Sequence, residues 1–364
     1  MNENFLLAWL CRKTNLTLPR YFRILESYKS LEEALKDDFG IIKKSEKWLD
    51  KVSCLSLNNE IKVMKEQLHN NKVSLLTFKD KNYPPSLLCL ENRIPIVLYY
   101  QGSLQALNTK KLLTIVGSRN IQTYSKSLLK SMLKSLCDNE VTTISGLAAG
   151  VDTLVHHTST ENHSKTVAVI GSGLDSNCFY PSQNLRLKNQ IIEEGGLVIS
   201  EHYLGTKAKT YHFPQRNRIL AALSEITWVV QAGQRSGTLI TASHARDLGK
   251  TVATSPASIF DPYFAGNIQL LKDGANIITD AEDISQLLGL STFKTGNYNP
   301  PREAVLPNKI SQEIYQALSF NPVDVDTLSE NLSIPIRSLI SELTFLELEG
   351  LASNEGSNNW IKLA

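Results

Sequence analysis

The chain has 364 residues, 42% hydrophobic and 20% charged, with a net charge of +2. These values exclude a disordered or fibrous chain and leave room for two or three domains of about 100–200 residues each. The apolar run from Phe5 to Cys11 is shorter than the roughly 20 residues a bilayer requires, and Glu3 precedes it where a leader would carry cations, so neither a membrane span nor a signal peptide is expected.

Residues 1–72 read as a small helical domain, SAM/helix-hairpin-helix-like in character. Apolar positions recur at helical spacing in Phe5–Leu10, Arg20–Leu25 and Leu31–Leu35, and Ser30 followed by Glu33 is a capping-box pattern. Such helices serve either DNA backbones or plain protein contacts. Val73–Thr77 and Ile96–Tyr100 read as strands around the turn-rich stretch Asp80–Pro85.

A domain over 73–290 continues with short apolar runs separated by helical patterns. The runs are Leu112–Val116, Val141–Ile144, Val167–Ile170, Leu197–Ser200, Ile226–Val230 and Thr251–Thr254. Runs read as buried on both faces and joined by helices imply an α/β fold, a Rossmann-like, doubly wound, mostly parallel sheet. Lys126, Lys130 and Lys134 fall on the polar side of the helix after the first run and read as a solvated face.

A polar linker is expected over 291–305, then a C-terminal domain over 306–364. Three helical patterns and a Gly-punctuated pair near Leu351 and Trp360 suggest a winged helix-turn-helix. This domain carries three cations against eight anions, a net charge of −5, leaving +7 for the rest. DNA readers need cations facing phosphates. The third helical pattern offers only Arg337 against Glu342, Glu347 and Glu349, so the domain reads as a protein-contact module.

Metal and redox chemistry find little support. Cys11, Cys54, Cys89, Cys137 and Cys178 are odd in number and lack CxxC spacing, which fits a reducing cytosol. His156 and His157 are adjacent, and neighbouring helix positions point about 100° apart, a poor metal clamp. No metal or cofactor is expected.

In an open parallel sheet, ligands sit beyond the carboxyl ends of the strands. This sequence places its glycines and lone cations there. One strand ends in Gly117-Ser118-Arg119, the next in Ser145-Gly146-Leu147-Ala148, the next in Gly171, and another leads to Ser236-Gly237-Thr238. Glycine lets an anion approach the backbone, the following helix offers free amides, and Arg119 offers a fork suited to phosphate. Between the fourth and fifth parallel strands, Lys207, Lys209, His212, Phe213, Arg216, Asn217 and Arg218 interleave cations with aromatics, as single-stranded nucleic acid favours. The competing reading places Phe213 in the core and pairs the arginines with Glu201 or aspartates.

Six motifs then occur in order: Gly117-Ser118-Arg119; Ser145 to Asp152; Gly171 to Asp175 with Tyr180-Pro181; Phe213-Pro214-Gln215-Arg216-Asn217-Arg218; Ser236 to Ala242; and Gly266-Asn267 with Gly274-Ala275. In order and spacing they resemble the DNA-processing protein A family (DprA/Smf). The resemblance implies a single-stranded-DNA-binding protein, usually a homodimer, that protects incoming DNA in natural transformation and helps load the RecA recombinase. It implies phosphate contacts from Arg119, Ser145, Gly146, Arg216 and Arg218, and base stacking on Phe213. That reading needs Arg119, Arg216 and Arg218 on one rim. Three positions depart from the family pattern: Ala149 where relatives are often basic, Gln231 in place of glutamate, and Ala257 in place of glycine.

Enzymatic readings are weaker. Gly249-Lys250-Thr251 resembles the end of a P-loop, but His244 stands where its first glycine belongs, and Ser176 stands where a dinucleotide fingerprint begun at Gly171 needs its third. The alternative is a nucleotide- or phosphosugar-binding hydrolase of the lysine-decarboxylase-like Rossmann group. Those proteins follow the Gly-Thr with a glutamate, whereas Leu239-Ile240-Thr241 offers no carboxylate; Glu201, Glu225 and Asp175 remain as acids. No catalytic residue is expected.

Overall fold

A computed structural model describes residues 2–50, 52–290, 306, 308–319, 322–349, 351–356 and 358–362. The expected linker over 291–305 lies outside the described residues. Two compact units emerge, Met1–Thr295 and Gly296–Ala364.

The first unit opens with helices α1 (Glu3–Thr14), α2 (Leu18–Ser27), α3 (Leu31–Lys36) and α4 (Leu57–Asn70). Local chemistry sets their ends. Asn2 caps α1 by accepting from the Asn4 amide, and Asn15 closes it with a left-handed backbone. Pro19 occupies the first turn of α2, where its missing N–H costs nothing. Half of the expected capping box forms: the Ser30 hydroxyl accepts from Glu33 N–H, while the Glu33 carboxylate accepts from Lys29 N–H at 2.9 Å instead of from Ser30. Trp9, Leu10 and Ile24 join Tyr99, Ala168, Ile170 and Val198 in one hydrophobic cluster. The helices of 1–72 and one face of the sheet therefore share a core.

The remaining elements are β1 (Ser74–Thr77), β2 (Val97–Gly102), β3 (Leu112–Gly117), α5 (Thr123–Asp138), β4 (Thr142–Ser145), α6 (Val151–Glu161), β5 (Thr166–Ile170), α7 (Leu185–Glu193), β6 (Leu197–Ser200), α8 (His212–Leu223), β7 (Ile226–Gln231), α9 (Thr238–Asp247), β8 (Thr251–Thr254), α10 (Ala265–Lys272), β9 (Asn276–Ile277) and α11 (Ala281–Leu287). The strands form one sheet in the order β1-β2-β6-β5-β4-β3-β7-β8-β9. From β6 to β9 every pairing is parallel, and β1 and β2 add an antiparallel edge. This is the doubly wound, mostly parallel sheet that the apolar runs predict. The Lys126, Lys130 and Lys134 face of α5 is exposed.

Chain order reverses at β3. One half winds outward through β4, β5 and β6, the other through β7, β8 and β9. Helices leaving β3 and β7 diverge there and open a crevice at the carboxyl ends of the strands. The register of β3 on β7 slips at this point, so that Gly117 pairs with Gln231.

The second unit contains α12 (Lys309–Ala317), β10 (Val323–Asp324), α13 (Val325–Leu332), α14 (Ile336–Leu348), β11 (Ala352–Asn354) and β12 (Asn359–Lys362). Its strands run β10-β12-β11, and its core gathers Ile314, Leu328, Leu339, Leu343 and Trp360. Three helices and a wing match the expectation. Among the described residues no helix is long and apolar enough to cross a membrane.

Candidate functional site

A cavity of about 300 Å³ occupies the crevice where the chain order reverses. Its walls come from the β3–α5 loop (Gly117, Ser118, Arg119), the β4–α6 turn (Ala148, Asp152), α8 (Phe213, Arg216, Asn217) and the start of α9 (Ser236, Gly237, Thr238). The ten-residue helix α9 points its N-terminus at this space, adding positive potential. Four segments far apart in sequence thus converge because each follows, or runs beneath, a neighbouring strand end.

Arg119 stands exposed at the rim, its guanidinium 4.9 Å from the centre of the Phe213 ring. Phe213 is half-buried and meets Tyr180 edge-on at 5.8 Å, and Tyr180 is itself 49% exposed. A cation on an aromatic face beside a second accessible ring can meet a phosphate and a base together.

Arg216 takes a different position. It is buried, and its Nη1 donates to the Gly146 carbonyl at 2.7 Å and to the Val169 carbonyl. Its Nε donates to Asn217 Oδ1 at 3.2 Å. Nη2 has no hydrogen-bond partner among the described residues, although Arg216 lines the cavity. Burial draws the guanidinium down to about 10; Asp152 opposes that fall and Arg119 adds to it. The group stays charged at neutral pH, a fixed cation in the cavity floor. Burial raises the Asp152 carboxyl, against the pull of Arg216 and of the Ala148 amide, which donates to Asp152 at 3.3 Å. Gly146 has no room for a side chain, because a Cβ would fall 2.3 Å from Arg216 Nη1.

Two sequence-based phosphate contacts need correction. The Ser145 hydroxyl is buried and donates to the Ile115 carbonyl at 2.7 Å, tying β4 to β3. Arg218 is held bidentately by Glu201, Nη2 to Oε1 at 2.7 Å and Nη1 to Oε2 at 2.9 Å, while its Nε donates to the Arg93 carbonyl. The single rim expected for three arginines is therefore one exposed arginine above one buried arginine, with the third spent on an ion pair. Gly146 uses its carbonyl on Arg216. Leu147 is fully buried with φ +53, so only its backbone faces the turn. Gly171 is buried against Phe213 and gives its carbonyl to His212 at 3.1 Å. Lys209 is exposed over Tyr211 and does not line the cavity.

Ser118, Asn217, Ser236, Gly237 and Thr238 do line it. The Ser118 hydroxyl accepts from Asn120 N–H at 3.1 Å and shapes the loop, and the Asn217 amide reaches the Gly237 carbonyl at 3.4 Å. Asn184 escaped the sequence reading: its amide donates to the Leu147 carbonyl and to Thr153 Oγ1, fixing the β4–α6 turn. Asn184 follows the polar pair Ser182-Gln183, so nothing in the sequence sets it apart. Asn267 of α10, read in sequence only as part of the Gly266-Asn267 motif, donates to the Val230 carbonyl and Thr254 Oγ1 from full burial.

The acids weighed for hydrolysis are engaged elsewhere. Glu201 holds Arg218, Glu225 lies exposed against Lys250 at 3.2 Å, and Asp175 accepts from Gly205 N–H at 2.8 Å. Among the described residues no group of three or more His, Cys, Asp or Glu side chains could hold a metal ion.

A family model described as DNA recombination-mediator protein A matches residues 74–289, and one described as DprA winged helix domain matches residues 299–356. The chain belongs to the DNA-processing protein A (DprA/Smf) family. DNA processing protein DprA of Bacillus subtilis (strain 168) is 35% identical over 246 residues, which span 66% of this chain and 82% of that protein. The X-ray structure of DNA processing protein A from Streptococcus pneumoniae matches with a TM-score of 0.63 and 28% identity, covering 79% of this chain and 98% of that one. A Helicobacter pylori DNA processing protein A, solved for its single-stranded DNA binding mode, matches with a TM-score of 0.54 and 27% identity over 60% of this chain and 96% of that one. The departures from the DprA/Smf pattern now have positions. Ala149 is exposed beside the cavity turn, Ala257 is half-buried after β8, and Gln231 is fully buried at the end of β7.

Proposed function

We propose that the cavity at the β3–β7 switch point holds phosphates of single-stranded DNA, and that the protein protects incoming DNA in natural transformation and recombination. The carrying observation is the pair of guanidiniums at one opening: Arg119 exposed on the Phe213 ring, Arg216 fixed beneath. These groups offer charge and ring faces, which a single strand meets without a duplex groove to read. The DNA that the Helicobacter pylori relative binds is the ligand class this opening suits. Membership in the family extends the proposal to a homodimer that helps load the RecA recombinase, in the cytoplasm.

In a mobility-shift titration at one salt concentration, a single strand of mixed sequence binds more tightly than the duplex of the same length. Equal or tighter duplex binding overturns the proposal.

The C-terminal unit enters this reading as a protein-contact module. Its segment 306–364 has a net charge of −5, and α14 exposes Ile336, Ile340 and Leu348 where a DNA-reading helix needs cations. Removing 306–364 leaves single-strand affinity unchanged or slightly higher in the same titration; a large loss would place this unit on DNA.

A further inference from the structure

Arg119 is useful only where its loop holds it. Residues 118–122 have no regular structure, and the side chain projects into solvent. What fixes the backbone is therefore part of the site. On one side, Val151 N–H donates to the Ser118 carbonyl at 3.1 Å, and Gly150 packs so closely that a Cβ would fall 2.3 Å from Ser118 O and 2.6 Å from Arg119 O. On the other side stands Gln231. Its Oε1 accepts from Gln122 N–H at 2.9 Å, and its Nε2 donates to the Asn120 carbonyl at 3.0 Å. The side chain has no solvent exposure. It thus grips the loop one residue and three residues beyond Arg119.

We infer that Gln231 is a positioning residue for Arg119, an amide fork from the end of β7 that holds the phosphate-contacting loop over Phe213. The inference rests on the single-stranded-DNA reading of the cavity. Its chemistry is specific. One arm of the fork meets an N–H and the other a C=O, so the residue must offer an acceptor and a donor at once. An amide does this without a proton change. A carboxylate offers two acceptors, and one would face the Asn120 carbonyl from a side chain that is itself fully buried. Glutamine therefore holds both arms at any physiological pH; the glutamate of the DprA/Smf pattern would keep the arm on Gln122 N–H and, in this loop, regain the arm on the Asn120 carbonyl only when protonated.

The test is a double-mutant cycle in the full chain, with Gln231→Glu and Arg119→Ala singly and together, read as single-strand Kd across a salt series. Gln231→Glu alone is expected to weaken binding about tenfold at pH 8, the order of a lost buried hydrogen bond to a backbone group. It also flattens the log–log salt slope towards that of Arg119→Ala. In the Arg119→Ala background the same change has less than about a twofold effect. Lowering the pH shrinks the deficit, because a protonated carboxyl regains a donor for Asn120. Arg119, Asp152 and Arg216 line the same opening and are common to wild type and Gln231→Glu, so the ratio of the two affinities at each pH is the readout. Gln231→Met, which removes both bonds without adding charge, shows the same coupling to Arg119 and no recovery at low pH.

Binding by Gln231→Glu equal to wild type at pH 8, or an equal loss with and without Arg119, overturns the inference. So does a loss in both Gln231 variants that tracks a collapse of the thermal midpoint. If wild type shows no preference for single strands, the DNA reading fails instead, a distinct result visible before any variant is made.

Discussion

Arg119→Ala lowers single-stranded DNA affinity roughly tenfold at about 0.1 M salt, the combined loss of a charge-assisted phosphate contact and of support for the Phe213 face. The same change flattens the log–log salt dependence by about 0.7, the value for one phosphate contact on a single strand. The side chain is exposed and its one described contact is the ring beneath it, so folding stability should move little. Arg218→Ala is the matched control. Its guanidinium is clasped by Glu201 and by the Arg93 carbonyl, and the salt slope stays at the wild-type value. A slope that falls in the Arg218 variant and not in the Arg119 variant would exchange the two roles.

Arg216→Met has the largest effect on stability, a loss of about 3–5 kcal/mol in denaturant unfolding. The substitution leaves the Gly146 and Val169 carbonyls without their donor and strands Asp152 in the interior without its counter-charge. Single-strand binding falls as well, because the fixed cation in the cavity floor is gone. Arg216→Lys rescues only partly. An ammonium on a shorter stem is a point charge, and it cannot reproduce a planar fork that bonds two carbonyls and Asn217 while presenting a further N–H to the cavity. A variant as stable as wild type would show that the bonds from Arg216 to the Gly146 and Val169 carbonyls do not support the fold.

Much of the fold is legible in the chain. The parallel strands are short, rich in apolar and β-branched residues without a regular polar alternation, and followed by helical patterns, because a strand covered on both faces by helices has no solvent side to mark. β9 is the exception. Asn276 and Ile277 make only two ladder pairs and both are exposed, so neither length nor hydrophobicity announces them. The shared core of the N-terminal helices and the sheet is likewise silent in sequence, since Trp9 and Tyr99 look like core residues of any partner.

The site was legible by place more than by role. Glycine turns at the carboxyl ends of strands locate the opening, and the topology brings them together. Which arginine remains free depends on contacts that no local pattern encodes. Arg218 meets Glu201 because β6 ends beside α8. Arg216 did carry a signal. His212, Arg216, Ile219 and Leu223 recur at helical spacing, and all four lie on the buried face of α8. Periodicity alone would have turned Arg216 inward.

The left-handed backbone at Leu147 has a thermodynamic consequence. Most residues avoid φ near +53 at an expense of about 1–2 kcal/mol, and glycine would relax there. Leucine holds the turn instead by sinking its side chain completely into the core, with Asn184 bonded to its carbonyl. The disorder that a floppy glycine hinge would surrender on meeting a ligand has already been surrendered when the chain folds. On association, the entropy still to be lost belongs mainly to the flexible polymer that arrives.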